Sequence, residues 1–269
     1  MYKVRNPFYS RKGQFSEGQD LCIGIAINAL ESKGGNNRFW RPQDGEQTIR
    51  IVPTEDGDPF KDYWFHYNVG DNPGFLSPKR NFGEDCPLDS FVRQLWQEGT
   101  EDSKRMAKKL SARQRFFAPV IVRGEEDKGV RVWGFGKTVY ETLLNLVLNP
   151  EYGDITDAEA GTDLVLGYGK PSGATFPVTQ ITPRRRSSTL CKEPERCREF
   201  LESVPDFDEL FAASRKSFAE VQGMLDEFLL GDGDPEENST ETTKYDGGTE
   251  KEATRGTSVD KAFADLLGK

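Results

Sequence analysis

A chain of 269 residues that is 35% hydrophobic, 30% charged and 11% aromatic has room for one large domain or two modest ones, with a core built on rings more than on Leu and Ile. The longest apolar run, Leu21 to Leu30, holds Asn28 and falls short of the roughly 20 residues a membrane span needs; residues 1–14 lack a signal-peptide layout, and Cys22, Cys86, Cys191 and Cys197 suggest no disulfide framework, which points to a reducing compartment. The net charge of −9 speaks against a nucleic-acid partner until its distribution is read: residues 231–269 carry −5, residues 1–230 only −4, and the body contains basic blocks.

Residues 1–15 hold Lys3, Arg5, Arg11 and Lys12 with no acid and no periodicity, and read as a basic arm. Ser16 and Gln19 make a capping box that predicts a short buried helix to about Leu30, followed by a loop at Gly34-Gly35-Asn36-Asn37. Strand-like runs follow at 47–53, 62–69, 115–123, 129–135, 163–168 and 174–182, with helical stretches at about 87–98, 101–112 and 137–148. Five or six short strands with a helix before the last pair predict a mainly β fold with helical insertions, an OB-type five- to six-stranded barrel over residues 16–230.

After Pro194 the pattern turns helical, with a capping box at Asp206 and Glu209. An apolar side made of Phe207, Leu210, Phe211, Phe218, Val221, Leu225, Phe228 and Leu229 predicts packing back on the barrel. Residues 231–257 have the composition of a disordered acidic linker, spanning on the order of 30 Å if flexible. Residues 258–269 place Val259, Phe263, Leu266 and Leu267 on one face of a short amphipathic segment, suited to docking on a partner protein.

Two patterns point to chemistry. Alternation along 115–123 and 130–135 sets Arg115, Phe117 and Arg123 on one face of one strand and Arg131, Trp133 and Phe135 on one face of the next. Cations beside flat rings are what an unpaired polynucleotide needs, phosphates meeting the first and bases the second. The competing reading makes Phe117, Trp133 and Phe135 ordinary core rings. The second pattern is the acid-free stretch 103–117, with Lys104, Arg105, Lys108, Lys109, Arg113 and Arg115, joined by Lys137 and by Arg184-Arg185-Arg186 as further phosphate contacts. The alternative for the stretch is a solvated helix face.

Catalysis has little support. Gly136-Lys137-Thr138 resembles the end of a phosphate loop, but Arg131 stands where its first Gly is required, which excludes that motif. One histidine, His66, supports neither a Ser-His-Asp nor a Cys-His arrangement. With Cys86 it supplies too few ligands for a structural zinc tetrahedron.

The middle of the chain resembles the single-stranded-DNA-binding, helix-destabilising proteins of T-even-type tailed phages. The resemblance runs over about residues 39–190, through Ile49-Arg50-Ile51-Val52-Pro53, His66 with Cys86-Pro87, Arg115-Phe116-Phe117-Ala118-Pro119-Val120-Ile121-Val122, the stretch from Val132 to Tyr140, and Gly153-Asp154-Ile155-Thr156-Asp157. It implies an OB-fold core and cooperative, sequence-independent binding of single-stranded DNA in phage replication, recombination and repair, in the cytoplasm of the infected bacterium. It implies self-association through residues 1–15 and recruitment of replication and recombination proteins through 231–269. It also implies one zinc on a His and three Cys that include a Cys-Pro-x-Cys pair; here Asp89 stands in place of the second Cys of the pair and no third Cys lies between, so no metal or other cofactor is expected. A binding protein without enzymatic activity is the leading expectation, with the acidic tail occupying the DNA groove when DNA is absent. A metal-dependent nuclease and an acidic scaffold that does not bind DNA are the alternatives.

Overall fold

The computed structural model describes residues 38–174 and 176–230. The basic arm, the first predicted helix, the acidic linker and the docking tip lie outside the described residues. Within them, eight strands form one mixed sheet: β1 (Phe39–Trp40), β2 (Gly45–Ile51), β3 (Lys61–Val69), β4 (Asn72–Leu76), β5 (Arg113–Val122), β6 (Arg131–Phe135), β7 (Thr162–Gly169) and β8 (Val178–Ser187). The helices are α1 (Pro78–Phe82), α2 (Pro87–Glu98), α3 (Glu101–Leu110), α4 (Lys137–Leu148), α5 (Pro194–Glu202), α6 (Phe207–Phe211) and α7 (Phe218–Leu230).

The sheet runs β1-β6-β5-β2-β7-β8, and the β3–β4 hairpin branches off β5. The pairing among described residues does not close into a ring, so the expected five- to six-stranded barrel gives way to an open, branched eight-stranded sheet. The branch arises because β5 is long: Arg113–Phe117 pairs with β3 and Val120–Val122 with β2, while Phe116–Val120 pairs on its other edge with β6. The strands that sequence patterning did not resolve are β1, two residues long, and β4, whose Asn72-Pro73-Gly74 reads as turn. β4 is held as a strand by its pairing with β3 across the two-residue turn Gly70–Asp71, where Gly70 takes φ +57°, a conformation suited to glycine.

Helices α2 and α4 occupy the expected ranges. Pro87 occupies the first turn of α2, where its missing N–H costs nothing, and Gly99 ends the helix in the left-handed region. The expected helix over 206–229 is broken at Arg215-Lys216-Ser217 into α6 and α7. Cys191 and Cys197 are joined by a disulfide, their Cα atoms 5.5 Å apart, because the first turn of α5 brings Cys197 back over Cys191. This is one local staple where none was expected.

Packing on both faces of β5 organises the core. Phe116, Ala118, Val120 and Val122 join Trp40, Trp133, Phe135 and Leu143 in one apolar cluster; Phe117 joins Phe65, Tyr67, Phe207 and Phe211 in a second; Ile121 joins Val52, Leu190 and Phe200 in a third. A fourth cluster lies between β3–β4 and helices α2, α3 and α7, with Phe75, Leu88, Phe91, Leu95, Leu110 and Leu225 fully buried.

Candidate nucleic-acid interface

The rings chosen from strand alternation are interior. Phe117 is 2% exposed, Trp133 1% and Phe135 3%. Phe211 of α6 lies 4.7 Å from Phe117, ring centre to ring centre, Trp40 covers Trp133 edge-on at 6.1 Å, and Phe60 covers Phe135 at 6.4 Å. Period two sorts side chains onto two faces, but it does not say that one face meets water, and here both faces of β5 and β6 are covered. The strand arginines follow their neighbours inward. Arg131 is buried with Nη2 2.6 Å from Glu125 Oε2, Arg115 is buried near Tyr67, and Arg123 donates to Asp163 and to the carbonyls of Thr189 and Leu190. These six residues hold the fold together; they do not form a base-stacking surface.

The cations of α3 do reach solvent. Thr100 caps the helix, accepting from Ser103 N–H, and Ser103, Ala107 and Leu110 turn inward, which leaves Lys104, Arg105, Lys108 and Lys109 on the outer sides. Lys104 and Arg105 reach back to Glu101 at 2.9 Å and Asp102 at 3.1 Å, acids that lie just before the acid-free stretch. Exposed pairs of this spacing contribute only tenths of a kcal/mol, so a phosphate can replace the carboxylate. Arg113 is half-buried at the start of β5, and Lys137 is exposed at the start of α4, 3.7 Å from Glu141. Arg184, Arg185 and Arg186 are exposed on β8, at the end of the sheet path; Arg184 donates to Thr48 Oγ1 at 3.1 Å.

Ring–cation pairs that reach the surface lie elsewhere, around α1. The Arg80 guanidinium sits 5.2 Å above half-buried Trp64, and that of Arg215 sits 4.2 Å above Phe82, which is 39% exposed. Asn81 fastens α1 to β3, accepting the backbone Trp64 N–H at 2.9 Å and donating to the Trp64 carbonyl at 2.7 Å. Each cation is attracted to the ring quadrupole and restrains the ring it lies over. Trp64 alternates with core residues on β3, and Arg80 and Phe82 fall in a five-residue helix, too short to show a helical period. That is why patterning passed over them.

Beneath α1 lies a buried polar cluster. His66 Nδ1 is 2.9 Å from the Leu110 carbonyl, which can only accept, so Nδ1 carries a proton. His66 Nε2 faces Asp89 Oδ2 at 3.5 Å and Cys86 Sγ at 3.9 Å. Ser77 Oγ donates to Asp89 Oδ2 at 3.0 Å and accepts the Arg80 N–H at 3.2 Å, so the residue that caps α1 also anchors it to α2. Burial pushes the Cys86 thiol up to about 11; burial also works to raise the Asp89 carboxyl, but His66 beside it and the Ser77 hydroxyl hold it below its usual range. Ser77 was not legible as a member of this group, being neither Cys nor His.

Comparison with known families matches residues 43–229 to the family described as gp32 DNA binding protein like. No curated protein matches the chain.

Proposed function

Because the chain belongs to the gp32-like DNA-binding protein family, whose match spans most of the described fold, we propose that it coats single-stranded DNA without sequence preference and without catalysing a reaction on it. The family match carries this reading, and the mainly β described core with its helical insertions is compatible with it. The exposed surface supplies both kinds of group the ligand needs. Phosphates are met by Lys104, Arg105, Lys108 and Lys109 on α3 and by Arg184, Arg185 and Arg186 on β8. Bases stack on Trp64 and Phe82, each steadied by its arginine. Phe117, Trp133 and Phe135 have no part in it.

In the same reading, Lys3, Arg5, Arg11 and Lys12 promote self-association along the strand, and residues 231–269 recruit replication and recombination proteins where phage DNA is copied, repaired and recombined, in the infected cell's cytoplasm. The test is a titration of intrinsic Trp fluorescence with oligo(dT) at two salt concentrations. Quenching that weakens steeply with salt supports stacking together with phosphate contact; no quenching at low salt overturns the reading.

A further inference from the structure

The family resemblance implies a zinc held by His66, Cys86 and two further cysteines, and the donor set present does not fit it. Four polar side chains do converge: His66 from β3, Ser77 between β4 and α1, Cys86 at the start of α2 and Asp89 in its first turn. Their spacing is close to that of a metal site, since a tetrahedral zinc sets N and O about 3.3 Å apart and N and S about 3.6 Å apart, against 3.5 and 3.9 Å here. The donor chemistry differs. One sulfur remains of three, and the alcohol at Ser77 is already used twice, as donor to Asp89 and as acceptor for the α1 cap.

The cluster is also complete in itself. None of its side-chain nitrogen or oxygen atoms is among the buried ones that lack a partner, and His66 is oriented by the Leu110 carbonyl at the end of α3. Around it, Phe75, Leu88, Phe91 and Leu110 are fully buried, and Val221 and Leu225 of α7 pack over them. This is apolar burial of the kind that small metal-folded modules lack.

We propose that His66, Ser77, Cys86 and Asp89 form a metal-independent clamp that joins β3, α1, α2 and α3 where the resemblance implies a zinc. The clamp positions α1, and with it Trp64, Arg80 and Phe82, although its existence does not depend on what those residues bind. The cluster has the spacing of a metal site and the chemistry of a hydrogen-bonded one.

The experiment measures zinc per chain and melting temperature for the full-length protein prepared in zinc-containing medium, with and without EDTA. The expected result is zinc well below one per chain and a melting temperature that EDTA leaves unchanged. Stoichiometric zinc, or a melting temperature that EDTA lowers, overturns the proposal. Asp89→Ala is expected to lower the melting temperature equally with and without EDTA; no change would show that the clamp is idle and would also overturn it. A Ser77→Cys/Asp89→Cys chain that takes up one zinc, and becomes EDTA-sensitive, supports the assignment of the geometry.

Discussion

Arg50 Nη1 of β2 lies 3.2 Å from Asp163 Oδ1 of β7, with the arginine side chain wholly buried and the aspartate nearly so. The same carboxylate also receives Arg123 at 2.9 Å. Arg50 further donates to the carbonyls of Asp157 and Ser188 at 2.6 and 2.8 Å, so one guanidinium from β2 fastens the loop before β7 to the chain leaving β8. Burial lowers the Arg50 pKa, and Asp163 acts against that shift.

Removing the shared carboxylate leaves two guanidinium groups without their counter-ion, one of them buried. Asp163→Ala is therefore expected to cost about 3–5 kcal/mol of stability. Urea unfolding of the full-length chain measures it, and a loss below about 1 kcal/mol would show that the pair is not a main support.

Gly161 lies against this arginine. A Cβ there would stand 2.5 Å from Arg50 Nη2 and closer still to the Asp157 carbonyl, both of which are fixed by the hydrogen bond between them. Gly161→Ala is expected to cost about 1–3 kcal/mol through overpacking, read in the same unfolding experiment. An unchanged midpoint would mean that the loop gives way freely.

Binding and stability separate by ring. Trp64→Ala and Phe82→Ala are each expected to weaken oligo(dT) binding by about 1–3 kcal/mol, the contribution of one stacked base. Trp133→Ala is expected to cost about 3–5 kcal/mol of stability through the cavity it leaves, with the affinity of the folded fraction unchanged. Equal effects of Trp64→Ala and Trp133→Ala on affinity would refute the surface assignment.

The salt dependence of binding reports the cations. Replacing Arg184, Arg185 and Arg186 with Ala is expected to flatten the slope of log affinity against log salt by about 0.7 for each phosphate that is no longer neutralised. A slope identical to that of the wild type would remove β8 from the interface.

Acid sensitivity is expected at the start of α7. Glu220 accepts the Ser217 N–H and hydroxyl, each at 2.8 Å, and lies 3.2 Å from Lys216; these hydrogen bonds bring its pKa down from 4.5 to about 2. A carboxyl with a depressed folded-state pKa adds stability above its unfolded value of 4.5, and that stability is lost as pH falls toward 2. Unfolding of wild type and Glu220→Gln should differ at pH 6 and converge near pH 2. A gap that persists at pH 2 would point to another cause.

The helices α2, α3 and α4 and six of the eight described strands are legible in the sequence. Pro87 and Asp89 mark the start of α2 and Gly99 its end, local signals that tertiary contacts do not alter. The rings were misplaced because burial is a long-range property: Phe117 is covered by Phe211, and nothing near residue 117 in the sequence shows that α6 will reach it. The surface rings were hidden for the opposite reason. Trp64 shares β3 with the buried residues Phe65, His66 and Tyr67, and its partner Arg80 is supplied by α1. The cluster under α1 was half legible: His66, Cys86 and Asp89 carry a metal-like spacing, whereas Ser77 joins them only through the hairpin that brings β4 alongside β3.

β5 has a mechanical consequence. It takes part in three strand pairings, and Phe116, Phe117 and Ile121 enter three different apolar clusters, so no cluster can melt while the others keep their shared wall. The strand works as a keel for these three clusters: damage at any one rib is felt along the stretch of hull they share, while the fourth cluster, to which β5 lends no residue, stands outside it.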